Sequence, residues 1–461
     1  MGRNRDSRTL TAMGRITREQ LLDAFRDAGL ELWLVGGTLR DRLLGIDSKD
    51  LDYATNADPD RVEELVRGLG APVTTVGKRF GTIGVNVAGE WSEITTFRGD
   101  SYEAGTRWPD VTFGSSIEED LARRDFTINA LAEDAQSGRL LDLYGGEDDL
   151  RAKAIRAVGE PARRFREDPL RILRGIRFAS QLGFEIEPAT FEGMRETAAL
   201  LTSLSQERIT SELDKLLRGA EPARGLEALR ETGALPVVLP ELVSMVGCEQ
   251  NRFHRFDVWG HTVATVNAID GDPESLRVRR WAALLHDIGK PAVRHTKANG
   301  EWGFYRHETV GAELAAAVLE RLKMARAETH AVTLLVRRHM DRPEPAEARS
   351  VRRFMSKSAG HWRDLVALKR ADNASHTYND HEYHDALAAA CERIEREEAV
   401  QLRAESPLTG DDLVRIFDRE PGPWIRVIKD QLSRLVLDGE LAPGDVTAAE
   451  RIARRMLNRS E

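Results

Sequence analysis

The 461-residue chain has only two cysteines, Cys248 and Cys391. That scarcity excludes a disulfide framework and a cysteine-based zinc site, and a reducing cytoplasm is the natural setting. Aromatic residues are sparse, at 6%. No apolar run approaches the ~20 residues that cross a bilayer, so no membrane partner is expected. The opening MGRNRDSRTLTAMGR lacks the hydrophobic core of a secretory signal. Internal repeats and low-complexity segments are missing as well. Cationic excess is also lacking: 67 Lys and Arg face 76 Asp and Glu, a formal net charge of −9. That balance argues against a general nucleic-acid binder. The local distribution differs from the sum, because residues 151–177 hold nine Lys or Arg against Glu160, Glu167 and Asp168. A basic stretch is ordinarily a solvated helix face, and position has to decide otherwise.

What the chain does have is charge, 31% of residues, and clear periodicity. A helical pattern from Gln20 to Leu30 leads into ELWLVGG, a short apolar strand ended by Gly36 and Gly37. TLRDRLLG reads as one or two helical turns, DLDYAT as a second strand, and PDRVEELVRGLG as an amphipathic helix. VTTVGKRFGTIGVNVAG and WSEITTFRG predict a hairpin followed by a further strand. Beyond LLDLYGGEDDLRA, apolar residues recur at three and four through LRILRGIRFASQLGF, QERITSELDKLLRG and GLEALRETGAL. The expected fold class is α+β, a mixed sheet with helices followed by an all-helical remainder. The segment from Phe253 to about Ala374 is expected to be helical and carries most of the histidines. Pro421 and Pro423 punctuate the C-terminal helices.

A strand presents residues i and i+2 on one face, so Asp50 and Asp52 point the same way. Two ionised carboxylates there repel unless a divalent cation is shared. Mg²⁺ prefers few carboxylates together with substrate phosphates, and such a pair suits two-metal displacement at a nucleotide phosphate. Glu93, on the later strand WSEITTF, can supply a third carboxylate. Gly36 and Gly37 ahead of a helix let backbone N–H groups approach a triphosphate. Each part alone is weak, since D-x-D recurs by chance in acidic chains.

The combination is more specific. GG…RD..LLG…DLD, EITTFR, EEDLARRDFTINAL and REDPLRILRGIRFASQLGF occur in one order. That order resembles the class II tRNA nucleotidyltransferases, the CCA-adding enzymes and bacterial poly(A) polymerases, whose catalytic head is DNA polymerase β-like. The resemblance implies a catalytic head over residues 20–148 and a helical neck and body over 149–252. It makes Asp50 and Asp52 the Mg²⁺ ligands that activate an RNA 3′-hydroxyl and hold the incoming triphosphate, with Glu93 as third carboxylate. Arg40 and Asp41 fall in its G-G-x-x-R-D segment, either as a nucleotide contact or as a salt-bridged structural pair. Arg123, Arg124 and Asp125 match its R-R-D motif, associated with the ribose, and Asn129 is implied as a supporting hydrogen-bonder.

Glu167, Asp168 and Arg171 match the family's E-D-x-x-R motif. On spacing alone, Asp168 and Arg171 also read as an intrahelical ion pair. The resemblance instead makes them an amino-acid template for the base edge of CTP or ATP. A carboxylate accepts from the exocyclic amine and an arginine donates to ring acceptors. Pro169 places the motif at a helix start. Arg174 and Arg177, one and two turns on, are candidates for contact with triphosphate or tRNA backbone. In the family it resembles, members that add only CC have a shortened loop between the Glu93 strand and the R-R-D motif. Here RGDSYEAGTRWPDVTFGSSIEEDLA, with Asp100, Tyr102, Arg107 and Pro109, is close to full length, which the resemblance makes favourable to an enzyme able to switch to ATP.

A second constellation follows: His261 in DVWGHTVATVN, His286-Asp287 in WAALLHDIGKP, His307 in FYRHETVGAE, His339 in LLVRRHMD and Asp372 in LKRADNAS. A lone helical histidine is more often a packing residue than a ligand. This series resembles the all-helical HD metal-dependent phosphohydrolases. The resemblance implies an HD domain over 253–375 in which His261, His286, Asp287 and Asp372 bind one divalent metal. His307 and His339 can extend the site to two metals. Gly289-Lys290-Pro291 strengthens the match, and His254 is a neighbouring substrate or structural residue. Residues 376–461 are left as a C-terminal helical tail.

The expected protein is a template-independent nucleotidyltransferase acting on the tRNA acceptor end with CTP and ATP, carrying an additional HD phosphohydrolase site. A poly(A) polymerase or an A-only enzyme uses the same core motifs. A nucleotide phosphohydrolase with a degenerate head is the reading from another class, and the intact Asp50, Asp52, Arg124, Asp125, Asp168 and Arg171 speak against it. The ppGpp synthetase-hydrolases also join these two domain types, but in the opposite order.

Overall fold

A computed structural model describes residues 16–46, 51–101, 110–113, 116–251, 255–374, 376, 380–403, 406–437 and 440–457. Asp50, Tyr102, Arg107, Pro109 and His254 lie outside the described residues, as does the side chain of Asp100.

The chain opens with α1 (Arg18–Asp27), capped by Thr17 in a reciprocal box with Gln20. Then come β1 (Trp33–Val35), α2 (Gly36–Leu43), β2 (Leu51–Thr55) and α3 (Pro59–Gly68). Asp58 caps α3, and Pro59 fills the first turn, where a missing N–H costs nothing. β3 (Val73–Thr74), β4 (Thr82–Val87) and β5 (Glu90–Thr96) follow, then β6 (Arg98–Ser101), β7 (Asp110–Phe113), α4 (Ile117–Ala122), β8 (Leu131–Asp134) and β9 (Leu140–Asp142). Seven of these strands form one sheet in the order β3-β4-β5-β2-β1-β8-β9, while β6 and β7 pair separately. The sheet is mixed: β2 and β5 run parallel, and the other neighbours are antiparallel. Strand alternation gives each face its own core. Leu34, Tyr53, Ile83 and Ile94 pack with Leu21 and Phe25 of α1 and Val62 and Val66 of α3. Trp33, Val35, Ala54 and Ala132 pack on the other face with Ile117 and Leu121 of α4. That second face also carries Asp52.

Beyond the sheet come α5 (Gly146–Ala152), α6 (Pro161–Glu167), α7 (Leu170–Leu182), α8 (Pro188–Thr197) and α9 (Gln206–Leu217). α6 stops at Glu167 because Asp168 is extended (φ −143°, ψ 102°), the backbone a following proline imposes. α7 packs tightly on the head: a Cβ at Gly175 would lie 2.7 Å from Phe126 Cζ and 2.4 Å from Met194 Cε. Only glycine permits that approach.

The segment that holds the histidines is helical, with Val258–Ala268, Pro273–Leu285, His307–Arg321, Arg326–Arg338 and Trp362–Ala374 as its main helices. One departure from the expectation is a small hairpin, His295–Thr296 with Trp302–Gly303. A single core runs from the sheet through these helices. The C-terminal helices Gly410–Phe417, Pro423–Leu437 and Val446–Leu457 bury a separate cluster around Leu413, Leu432 and Ala449. Among the described residues, no helix is long and apolar enough to cross a membrane.

Candidate active sites

The parallel pairing of β2 with β5 sets Asp52 directly beside Glu93. Neighbouring strands are ~4.8 Å apart, and like charges in such a position repel unless a cation lies between them. Next to this pair the chain leaves a gap. Gly36 has φ +70°, and a Cβ built on it would lie 3.1 Å from Arg124 Nη1 and 4.0 Å from Asp52 Oδ2. The missing side chain keeps open the space between a guanidinium and a carboxylate, where an anion and a divalent metal can both be held.

Arg124 is aimed by a residue that sequence reasoning passed over. Asp120, 1% exposed, accepts from Arg123 through Oδ1 (2.7 and 3.0 Å) and from Arg124 through Oδ2 (2.9 and 3.2 Å). Burial pushes the Asp120 carboxyl up, but Arg124 and Arg123 outweigh it and hold it below the usual carboxylate range. The available signal was spacing, since Asp120 lies three and four residues before the arginines, on one helical face. Asp125 is tied in a second chain of bonds. It accepts from Arg174 Nε (2.6 Å), Asn129 Nδ2 (3.1 Å) and the Phe126 N–H (2.9 Å). Despite its burial, those donors depress its pKa. Asn129 Oδ1 accepts in turn from Arg40 Nη1 at 2.9 Å, while Arg40 Nε donates to Asp41 at 2.8 Å. Arg40 and Asp41 thus form a salt-bridged pair linked to Asn129. Arg40, Arg174 and Arg177 surround the Phe178 ring at 5.1, 5.6 and 4.3 Å. Arg177 is buried and paired at 2.9 Å with Glu212 of α9, an acid that sequence reasoning also missed.

The base-reading corner differs in one respect from the simplest reading of its spacing. Asp168 and Arg171 are not an ion pair. Arg171, 7% exposed, bonds Glu167 Oε2 (3.1 Å), the Arg164 carbonyl (3.3 Å) and the Arg123 carbonyl (2.9 Å). With Asp168 extended between two helices, the i,i+4 partner Glu167 is the one presented to Arg171. Asp168 Oδ1 accepts from the Leu170 N–H at 3.1 Å, and its Oδ2 faces Arg208 Nη2 at 3.4 Å. Arg171 and Arg164, which donates to the Ala122 carbonyl at 2.8 Å, stitch this corner to the R-R-D segment.

The second site is a buried cluster. His286, His307 and His339 each place Nδ1 2.7–2.8 Å from a backbone carbonyl, of Ala283, Phe304 and Val336. That bond fixes the tautomer with the proton on Nδ1 and turns Nε2 inward as a ligand. The Nε2 atoms converge: His261 to His286 is 3.2 Å and His307 to His339 is 3.1 Å. Asp287 lies between the two pairs, with Oδ2 3.2 Å from His286 and Oδ1 3.4 Å from His307. Asp372 Oδ1 is 3.0 Å from His261. His261, His286 and Asp287 form one potential metal-holding group and Asp287, His307 and His339 another. A third, His261, Asp372 and His376, adds a residue absent from the sequence reading. His376, four residues after Asp372 and past the end of the helix Trp362–Ala374, stacks on His261 at 5.2 Å. Burial, His286 and His307 push His339 down to about 3, so it remains a neutral donor. Lys290 Nζ, 2.6 Å from Asp287 Oδ2, also bonds Gln250. A cavity of about 220 Å³ opens from the cluster between Lys290, Lys297, Trp302 and Met340.

The sequence matches three families in chain order. These are the Poly A polymerase head domain over residues 32–156, the probable RNA and SrmB-binding site of polymerase A over 183–245, and the HD domain over 254–375. It is 34% identical to the A-adding tRNA nucleotidyltransferase of Deinococcus radiodurans over 88% of this chain and 92% of that protein. The chain belongs to the tRNA nucleotidyltransferase family. Another relative in the family, the CC-adding tRNA nucleotidyltransferase of Thermus thermophilus, is likewise 34% identical over 85% of this chain and 86% of its own. Among solved tRNA nucleotidyltransferases, the CCA-adding enzyme of Bacillus stearothermophilus in complex with CTP superposes with a TM-score of 0.61. It shares 27% identity over 96% of this chain and 99% of that one. Divalent metal ions are typical of both the head and HD families, and the carboxylate and imidazole donors of the HD cluster fit them.

Proposed function

We propose that this enzyme builds or repairs the 3′-terminal CCA of tRNA, transferring CMP and AMP from CTP and ATP without a nucleic-acid template. One arrangement carries the reading: the Asp52–Glu93 pair and the Gly36–Arg124 gap lie on one sheet face, and the E-D-x-x-R corner is hydrogen-bonded to the backbone of the same R-R-D segment. In this reading Asp50, Asp52 and Glu93 hold the metal, Mg²⁺, which supplies charge neutralisation at the α-phosphate and the leaving pyrophosphate. Gly36, Gly37, Arg124 and Arg174 receive the triphosphate, while Arg123, Asp125 and Asn129 set the ribose. Asp168 accepts the exocyclic amine that cytosine and adenine share, and it repels the carbonyl that uracil and guanine offer there. Arg171 holds the corner in place and offers its remaining donors to the ring acceptor. The body helices over 149–252 hold the acceptor stem, chiefly through phosphate and shape. The head over 20–148 and the HD domain over 253–375 then act as separate chemical units. In the latter, His261, His286, Asp287 and Asp372, extended by His307 and His339, hold divalent ions for hydrolysis of a phosphate ester.

Three tRNA transcripts, ending before CCA, after C and after CC, test the product. Each is incubated with Mg²⁺ and CTP, ATP or both, and product lengths are read at single-nucleotide resolution. Completion of CCA from all three, stopping at A, is the expected result. Addition of A to the CC-ended transcript alone would reassign the enzyme as A-adding, and a long A ladder would make it a poly(A) polymerase.

A further inference from the structure

We infer that His376, which no family motif above includes, is a metal ligand of the HD region, joining His261 and Asp372 around one divalent ion. The inference rests on the proposed HD function and enlarges its donor set. Donor atoms that share one ion at ~2.1 Å sit roughly 3.0–3.5 Å from one another, along the edges of an octahedron or a tetrahedron. The atoms of this cluster keep that spacing. His261 Nε2 is 3.0 Å from Asp372 Oδ1 and 3.2 Å from His286 Nε2. His376 Nε2 is 3.5 Å from the same Asp372 oxygen. The donor atoms of His261, Asp372 and His376 all lie within 4.8 Å of one another. Asp372 Oδ1 is thus shared between two imidazoles.

The fold sets this ring in place. The helix that carries Asp372 ends at Ala374, and the His376 N–H donates to the Asn373 carbonyl at 3.1 Å, a turn that carries the ring to His261. Asn373 Oδ1 in turn accepts from the Asp380 N–H at 2.6 Å, and Asp380 pairs with Arg342 at 2.5 Å. The imidazole lies parallel to that of His261, with 6° between the rings. Its Nε2 is buried, although the side chain as a whole is 23% exposed. Stacking alone does not call for a carboxylate oxygen beside both Nε2 atoms; a shared ion does. His376 and Asp372 also line the cavity of about 220 Å³ that Lys290 and Lys297 reach. His261 and His286, wholly buried, hold the ion from within. His376 ligates from the open side, so the ion keeps a face toward the cavity where a phosphate oxygen can bind.

The full chain, freed of metal by a chelator, is titrated with Co²⁺, whose visible absorption reports the donors around it. The part of that signal absent from Asp287→Ala belongs to the HD cluster. His376→Ala is expected to weaken Co²⁺ binding there by roughly tenfold or more and to shift its visible bands. His376→Phe keeps a ring to pack on His261 but has no donor atom, and it should weaken binding as much as alanine does. The gain in urea stability that Co²⁺ gives the wild-type chain should shrink in both variants. Wild-type affinity and bands in His376→Phe would overturn the inference, leaving the ring a packing role. Unchanged Co²⁺ binding in His376→Ala would overturn it as well. A wild-type HD cluster that takes up no divalent ion would overturn the proposed HD function and this inference together.

Discussion

In the HD cluster the inward-facing side chains of His261, His286, Asp287 and His339 are buried, and three of the histidines, His286, His307 and His339, have their outer nitrogen bound to a backbone carbonyl. The donors are locked into position by helices before any metal or substrate arrives. In the head cleft, Asp52 is half-buried and Glu93 exposed at neighbouring strands, facing a gap left by a glycine. There it is the arginines that are pre-set, by the buried carboxylates Asp120 and Asp125. On the proposed function, the first centre is built as a cage for the metal, and the second as a frame completed by the nucleotide. Binding geometry in the cage is settled by protein packing. In the frame it is settled by charge complementarity with the phosphates.

The sharpest way to break this comparison is to disable each centre in turn. Asp52→Ala should lower nucleotide addition by roughly 10³–10⁴-fold, leaving the metal content of the HD cluster intact by elemental analysis. Loss of that metal as well would mean the centres are not separable. Asp287→Ala, removing the carboxylate shared by two ligand groups, should strip bound divalent metal, with CMP addition kept within about twofold of wild type. A fall in addition that tracks the metal loss would tie the centres together.

Asp120→Asn comes next. It leaves two guanidinium groups without their buried counter-charge and should cost about 2 kcal/mol in urea unfolding at pH 7. The sign with pH follows from the depressed carboxyl of folded Asp120. Its contribution is complete above the ordinary carboxylate pKa of about 3.9 and disappears as pH falls below that through the folded value. The stability gap between variant and wild type should therefore stay constant above about pH 5 and narrow only as pH falls below about 3.9. A gap that stays constant there too would assign the loss to packing. The smallest effect expected is at Gly36→Ala. A φ of +70° and a Cβ 3.1 Å from Arg124 Nη1 should lower kcat/KM for CTP about tenfold at little more than ~1 kcal/mol of stability. A change in stability without one in kcat/KM would detach that gap from the nucleotide.

Much of this was legible in the chain. Period-two alternation in DLDYAT put Asp52 on a defined face, and glycines and prolines marked where elements stop. The HD histidines were legible because several ligands recur in order. What escaped has physical causes. Asp120 sits in the acidic run EED, which reads as solvated surface until a fold buries it. His376 lies four residues beyond Asp372, past the helix end, with no motif to mark it. The preference of Arg171 for Glu167 over Asp168 follows from the helix break at Pro169, which the sequence signalled but a spacing rule for one unbroken helix does not turn into a choice of partner. Arg208 and Glu212 are ordinary charged residues of an amphipathic helix, and only tertiary packing gives them partners.

α9 also bears on how such a chain can be shortened or recombined. Its stripe Gln206, Thr210 and Asp214 is bonded into the histidine-bearing helices through Arg321, Leu322, Arg277 and Trp281. Its other flank holds the corner beside Asp168. A truncation ending before the HD helices would strand a carboxylate, a hydroxyl and an amide on an uncovered surface and loosen the helix that carries Arg208. The HD region is therefore not a detachable cassette. A working shorter form would have to rewrite positions 206, 210 and 214 together, three coordinated changes on a helix that contributes no catalytic atom of its own.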